Sequence, residues 1–183
     1  MSLREFLAWD APWGQTWQLV DGEPRAMAPT SRTHGTIQST LTSRIDRHLR
    51  EGDTPCFIVS TPGVVPRVRS HSNFRIPDLA VTCTPYQDEE YDLANPMLII
   101  EILSPSNRAE TWTNIWAYTT LPSVHEILIV HNTRIGVELL RRDAARNWPE
   151  QPVALDQGVL ELRSIGFSID IAALYQGTRL AAG

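Results

Sequence analysis

The sequence predicts an α/β protein in which helices flank a mixed, mostly antiparallel sheet. Three observations carry that expectation. The stretch THGTIQSTLTSRIDRHLREG spaces Ile37, Leu41, Ile45 and Leu49 four apart, the apolar stripe of an amphipathic helix. Short runs rich in β-branched residues follow it, CFIVST, GVVPRVRS and RIPDLAVTC, each of strand length. A second helical stretch, SPSNRAETWTNIWAYTTL, then separates the apolar run MLIIEIL from further strands. Helix, strands, helix, strands is an α/β order.

Taken in order, residues Ser2 to Ala8 read as a short helix, and TWQLVDGEPRAMAP as two strands turning at Asp21-Gly22. Gly52 stops the long helix, whose outer face carries Arg44, Arg47 and Arg50. An acidic loop, YQDEEYDLANP, leads into MLIIEIL. Ser106 or Asn107 is the expected N-cap of the second helix, with Glu110 favourable in its first turn. VHEILIVH and RIGVELLRRD form a hairpin turning at Asn132-Thr133, and VLELRSIGFSIDIAALY gives two short strands and a closing helical turn. No repeat or linker interrupts residues 1–183, so one domain is expected.

Composition narrows the class. A hydrophobic content of 42% is enough for a packed core and rules out a disordered chain. No apolar stretch approaches the roughly 18 residues of a spanning helix, and the N-terminus lacks an apolar signal-like region, so no membrane association is expected. Cys56 and Cys83 show no metal-ligand or CxxC spacing and are expected as buried, reduced thiols of a cytoplasmic protein. A net charge of -5 argues against a broad basic surface that coats nucleic acid. All 16 basic residues are arginines, which excludes a lysine-dependent mechanism. Neither a GxGxxG nor a GxxxxGK[ST] loop is present, so nothing supports a nucleotide binder or oxidoreductase.

Two carboxylates stand out because they interrupt apolar strands: Asp78 in RIPDLAV and Glu101 in LIIEIL. Ionised acids are rarely buried unless paired or bound to a metal. If the two strands are neighbours, the carboxylates raise each other's pKa, and a divalent cation relieves the repulsion. Mg²⁺ needs only one or two carboxylates plus water and phosphate oxygens, and in that setting it promotes phosphodiester hydrolysis. Each acid alone also admits a structural role, Asp78 in a turn after Pro77 and Glu101 in an ion pair with an arginine such as Arg75.

The segments Arg4-Glu5-Phe6-Leu7, Leu19 to Glu23, His34-Gly35, Pro77-Asp78 and Ile100 to Ser106 together resemble the Uma-type putative restriction endonuclease family. That family lies within the PD-(D/E)xK nuclease superfamily. The resemblance runs from Leu3 to about Leu140, and ILSPS after the strand glutamate is its most specific part. It implies a restriction endonuclease-like core, a mixed sheet flanked by helices. It also implies a metal-dependent endonuclease hydrolysing DNA, with Asp78 and Glu101 binding Mg²⁺ or Mn²⁺. Glu110 matches the family's acid and Tyr118 its tyrosine, whereas Asn114 falls where the family carries a lysine. An asparagine donates a hydrogen bond but brings no charge to an oxyanion. Arg108, one turn earlier, is a candidate substitute. The departure raises an alternative: a catalytically degenerate nuclease fold serving as a nucleic-acid-binding or assembly module.

Around this site Glu23, His34, Arg75, Arg108 and Tyr118 are candidate rim residues, each with a plain surface or capping role as the alternative. The helix arginines, with Arg67, Arg69 and Arg75, form either a phosphate-facing rim or solvated surface charge. Trp112 and Trp116, four apart, suit core or subunit contact, and a homodimer is expected because nucleases of this type act as two-fold pairs.

Overall fold

The computed structural model describes residues 1–86, 91–105 and 108–182. A six-stranded sheet in the order β3-β4-β5-β6-β7-β8 forms its centre. These strands are Phe57–Ser60, Leu79–Thr82, Leu98–Leu103, Glu126–His131, Val137–Arg141 and Val153–Leu155. Among the described strands only β5 and β6 run parallel, joined by the crossover helix α3 (Arg108–Tyr118), as a parallel pair requires. The mixed, mostly antiparallel sheet is the one the sequence predicts. β8 is three residues long with two of them exposed, too short to carry a readable alternation.

Two helices cover opposite faces of this sheet. The stripe Ile37, Leu41, Ile45 and Leu49 of α2 (Arg32–Glu51) packs on Leu79, Val81, Leu98, Ile100 and Leu128. The closing hairpin β9–β10 (Val159–Leu162, Phe167–Asp170) and Tyr175 join this layer. On the other face Ile115 and Tyr118 of α3 pack with Ala80, Ile99, Ile127 and Ile129. β4, β5 and β6 are thus buried on both sides, which is why they read as continuous apolar runs.

Local signals place the remaining elements. Ser2 and Glu5 form a reciprocal capping box on α1 (Leu3–Leu7). The hairpin β1–β2 (Trp17–Val20, Glu23–Ala26) turns at Asp21 and Gly22, both at positive φ, as a type I′ turn demands. Ser31 caps α2 by accepting from the His34 amide at 3.2 Å. Gly52 ends α2 with right-handed φ, and the left-handed residue is Asp53. The cap candidates Ser106 and Asn107 lie outside the described residues. Among the described residues no helix is long and apolar enough to cross a membrane.

Two expectations are corrected. GVVPRVRS is not a strand, because Pro62 precedes it and Pro66 interrupts it, each removing an amide donor. It makes only isolated bridges, Gly63 with Asp92 and Val64 with Arg75. Cys56 and Cys83 are not free thiols but a disulfide. They sit one residue beyond the paired Phe57 and Thr82 of the antiparallel β3–β4 ladder, which sets them face to face. Cysteine spacing alone carries no strand register, and the pairing removes the argument for a reducing compartment.

The short segment before Asp78 is held from two sides. Phe74 exchanges backbone hydrogen bonds with Leu19 of β1 at 2.8 and 2.9 Å, and Arg75 exchanges them with Val64 at 2.7 and 2.8 Å. Gly63 makes the close approach possible, since a Cβ there would lie 2.1 Å from the Phe74 ring and 2.5 Å from the Tyr91 carbonyl oxygen. Gly63→Ala is expected to destabilise the protein by about 1–3 kcal/mol through overpacking. Thermal unfolding checks this, and an unchanged Tm would show that the contact is soft.

Candidate active site

The register of β4 against β5 pairs Leu79 with Ile100, and one step further it sets Asp78 opposite Glu101. Both acids are buried, each 7% exposed. Asp78 is tied down on every side. Its Oδ1 lies 2.8 Å from Nε2 of His34, its Oδ2 accepts from the Ile102 amide at 2.6 Å, and its carbonyl accepts from Gln38 at 2.9 Å. His34 reaches it because the imidazole begins the buried stripe that continues through Ile37 and Leu41.

Glu101 has weaker support. Its Oε1 accepts from the Tyr118 hydroxyl at 3.1 Å, and among the described residues no cation pairs with it. Burial, and then the adjacent Asp78 carboxylate, push its pKa well above the ordinary 4.5. Burial and the Glu101 charge raise the Tyr118 hydroxyl in the same way. A third strand acid shows what a structural carboxylate looks like here. Glu126 of β6, 1% exposed, accepts from Arg141 and from the amides of Arg163 and Ser164 at 3.1 and 2.7 Å. Glu126 is compensated by an arginine and two amides; Glu101 has the Tyr118 hydroxyl and the Asp78 backbone amide but no arginine.

The acids open into a cavity of about 290 Å³, also lined by Gln18, His34, Ser104, Glu110, Asn114 and Asn132. Glu110, Asn114 and Tyr118 recur every four residues on α3, so one helix face turns to the site, Glu110 and Asn114 lining the cavity and Tyr118 reaching Glu101 without lining it. Gln18 of β1 joins it, donating to Glu110 Oε1 at 2.8 Å and accepting from Asn114 Nδ2 at 3.3 Å. Behind Asn114 lies Arg75, buried, donating to Asn114 Oδ1 at 2.6 Å and to Asn73 Oδ1 at 2.8 Å. Burial pulls its pKa below the ordinary arginine value, although a guanidinium stays protonated at neutral pH. An ion pair between Arg75 and Glu101 is therefore not what the structure contains.

Other sequence candidates fall elsewhere. Glu23 is exposed beside Arg25 at 3.4 Å and does not line the cavity. Arg108 is exposed at the first turn of α3 and is not a lining residue. Arg44 binds Gln176 and Arg50 pairs with Asp46. These lie several turns of α2 from His34, so the helix arginines form solvated charge and not a rim. Arg69 pairs with Asp21 at 3.1 Å on the hairpin turn. Sequence reasoning missed Gln18 and Asn132. Gln18 carried the same signal as Glu101, a polar residue inside an apolar strand. Asn132 was read only as a turn residue, yet its buried Oδ1 has no partner among the described residues.

The donor set suits a hard divalent cation. Two carboxylates share the cavity, each oxygen keeps a lone pair beyond its hydrogen bond, and the raised Glu101 pKa marks a charge that a proton or cation must relieve. Among the described residues no third His, Cys, Asp or Glu completes an all-protein cage. Mg²⁺ does not need one. A carboxyl whose folded pKa exceeds its unfolded value contributes stability fully present below the unfolded value, here 4.5, and lost as pH rises through the raised pKa. Metal-stripped protein should therefore lose stability as pH rises above 4.5, and Glu101→Gln should flatten that part of the profile. Denaturant midpoints at several pH values in chelator are the check; identical slopes would show that Glu101 titrates normally.

Comparison with known proteins bears on the family and the fold. The Uma2 family, described as "Putative restriction endonuclease", matches residues 3–172. The uncharacterized protein slr1290 of Synechocystis sp. is 28% identical over 179 residues, covering 97% of this chain and 92% of that protein. Among solved structures, a putative nuclease belonging to DUF820 from Anabaena variabilis aligns with a TM-score of 0.76 and 18% identity. The alignment covers 96% of this chain and 97% of that one, a likeness of fold. The helix-flanked mixed sheet is thus a nuclease-like architecture, and the family match takes in both acid-bearing strands and α3. The chain belongs to the Uma2 family of putative restriction endonucleases.

Proposed function

We propose that this cavity is the active site of a metal-dependent endonuclease that hydrolyses DNA phosphodiester bonds. One observation carries the reading: Asp78 and Glu101 stand opposite each other in register, buried, with no cation paired to Glu101 among the described residues. Family membership supports the reaction class, and DNA is the substrate its description implies. Asp78 and Glu101 would hold Mg²⁺ or Mn²⁺. A divalent cation bound there supplies a polarised phosphoryl oxygen and a water of lowered pKa.

The chain's own residues do the rest. His34 and the Ile102 amide fix the Asp78 carboxylate, so its orientation does not depend on the ligand. Tyr118 orients Glu101 by donating to Oε1. Glu110 and Asn114 form the wall against which a phosphate lies. Trp112 and Trp116, with ring centroids 6.0 Å apart and Trp116 46% exposed, give α3 an apolar outer face. We read it as the contact of a two-fold dimer, and a monomer mass by light scattering would refute that.

A second reading is a nuclease fold that binds nucleic acid or assembles without cleaving. One observation favours it: the chain contains no lysine, and the cavity wall presents Asn114 where the family resemblance places one. Plasmid cleavage separates the two. Wild type should cut with Mg²⁺ or Mn²⁺ and stop in chelator, and Asp78→Ala or Glu101→Ala should lower the rate by at least about 100-fold. Calorimetry should show Mn²⁺ binding that the double variant loses. Intact plasmid in every metal would favour the second reading, and absent Mn²⁺ binding would remove the first.

A further inference from the structure

Four side chains between β1 and α3 form a hydrogen-bonded chain whose direction is fixed by chemistry. Arg75 can only donate and the Glu110 carboxylate can only accept. Between them Asn114 Oδ1 accepts from Arg75 at 2.6 Å, Asn114 Nδ2 donates to Gln18 Oε1 at 3.3 Å, and Gln18 Nε2 donates to Glu110 at 2.8 Å. Side-chain amides are commonly ambiguous in orientation, and here neither can flip. Turning Asn114 would set its NH₂ against the guanidinium, and turning Gln18 would set its oxygen against the carboxylate. Each amide nitrogen has two hydrogens and the chain uses one. Both residues line the cavity that holds Asp78 and Glu101.

Arg75 is placed for this purpose at some expense. It is buried, it has no carboxylate within ion-pair distance among the described residues, and its Nε lacks a partner. Its second Nη bonds Asn73 Oδ1 at 2.8 Å. Asn73 is fixed in turn by the Asp21 amide and by its own donation to the Asp21 carboxylate and to the Val68 and Arg69 carbonyls. A cation held this firmly polarises the amide next to it, and hydrogen bonds from a charged donor are the strong ones.

We propose that Asn114 and Gln18 form a neutral oxyanion-binding pair, polarised by Arg75, which receives a non-bridging phosphate oxygen beside the two acids. Asn114 and Gln18 touch the ligand, and Arg75 is a positioning residue acting through Asn114. The inference rests on the phosphodiesterase reading of the cavity. It answers a physical difficulty of that reading, because two carboxylates alone repel an anion and preorganised donors offset the repulsion.

The test uses the full chain with Mg²⁺ and inorganic phosphate as the probe, followed by calorimetry and by NMR of the Asn and Gln side-chain amides. Phosphate should move the Asn114 and Gln18 amide signals downfield. Asn114→Leu removes the donors with little change of shape and no added charge, and its unfolding transition checks that the variant folds. The folded variant's phosphate affinity should fall at least about tenfold. Arg75→Met should weaken phosphate binding as well, and Arg75→Lys should recover part of it. Silent amide signals, or a folded Asn114→Leu variant that binds phosphate like wild type, would overturn the proposal whether or not plasmid is cut. Phosphate binding as described alongside intact plasmid would remove the nuclease reading and leave the donor pair standing.

Discussion

The antiparallel register between β4 and β5 is the constraint on which the site depends. Pairing Leu79 with Ile100 leaves no freedom in where Asp78 and Glu101 lie, because the side-chain period of a strand is two. A slip of one residue would send Glu101 to the face covered by α2, among Ile37 and Leu41. The register is held by apolar burial on both faces, since Leu79, Val81, Leu98 and Ile100 face α2 while Ala80 and Ile99 face α3. The two acids are thus forced together by the packing of neighbours that have no chemistry of their own.

That packing leaves a local electrostatic debt at Glu101, and the contrast with Glu126 shows that the fold can settle such a debt when it needs to. Glu126 sits in the adjacent strand, equally apolar in sequence, and receives an arginine and two backbone amides. Breaking a compensated buried charge is costly, so Glu126 reads as part of the scaffold. Glu101 receives a hydroxyl and the Asp78 amide, has no arginine, and faces a second carboxylate. Uncompensated burial of this kind concentrates at functional sites, where a ligand supplies what the protein withholds.

The sequence made the sheet, both covering helices and the Asp21-Gly22 turn legible, because each rests on local periodicity or turn chemistry. It also singled out Asp78 and Glu101 as polar interruptions of apolar strands. Gln18 and Glu126 carry the same signal. What stayed hidden depends on pairing between distant segments. The Cys56–Cys83 bond follows from the β3–β4 register, and the place of Arg75 follows from bridges to Val64 and from Phe74 on Leu19. No spacing rule along the chain encodes either. The helix arginines illustrate the converse, since Arg44, Arg47 and Arg50 looked like a phosphate rim only until the helix was given a direction.

A chain whose only strong cations are arginines has a narrower choice at such a site than one with lysine. A lysine ammonium can rise flexibly into a cavity and change protonation; a guanidinium is planar, permanently charged and binds through a fixed fork. Arg75 uses that fork to hold Asn73 with one nitrogen and Asn114 with another, which fixes the cation in the wall and not in the cavity itself. Its influence then reaches the cavity through an amide, with the charge one hydrogen bond removed from any ligand. The arrangement keeps a permanent positive charge from forming a direct ion pair with Glu101. On this view the buried arginine and the uncompensated glutamate belong to one design: the charges that could neutralise each other are kept apart by Asn114 and Tyr118.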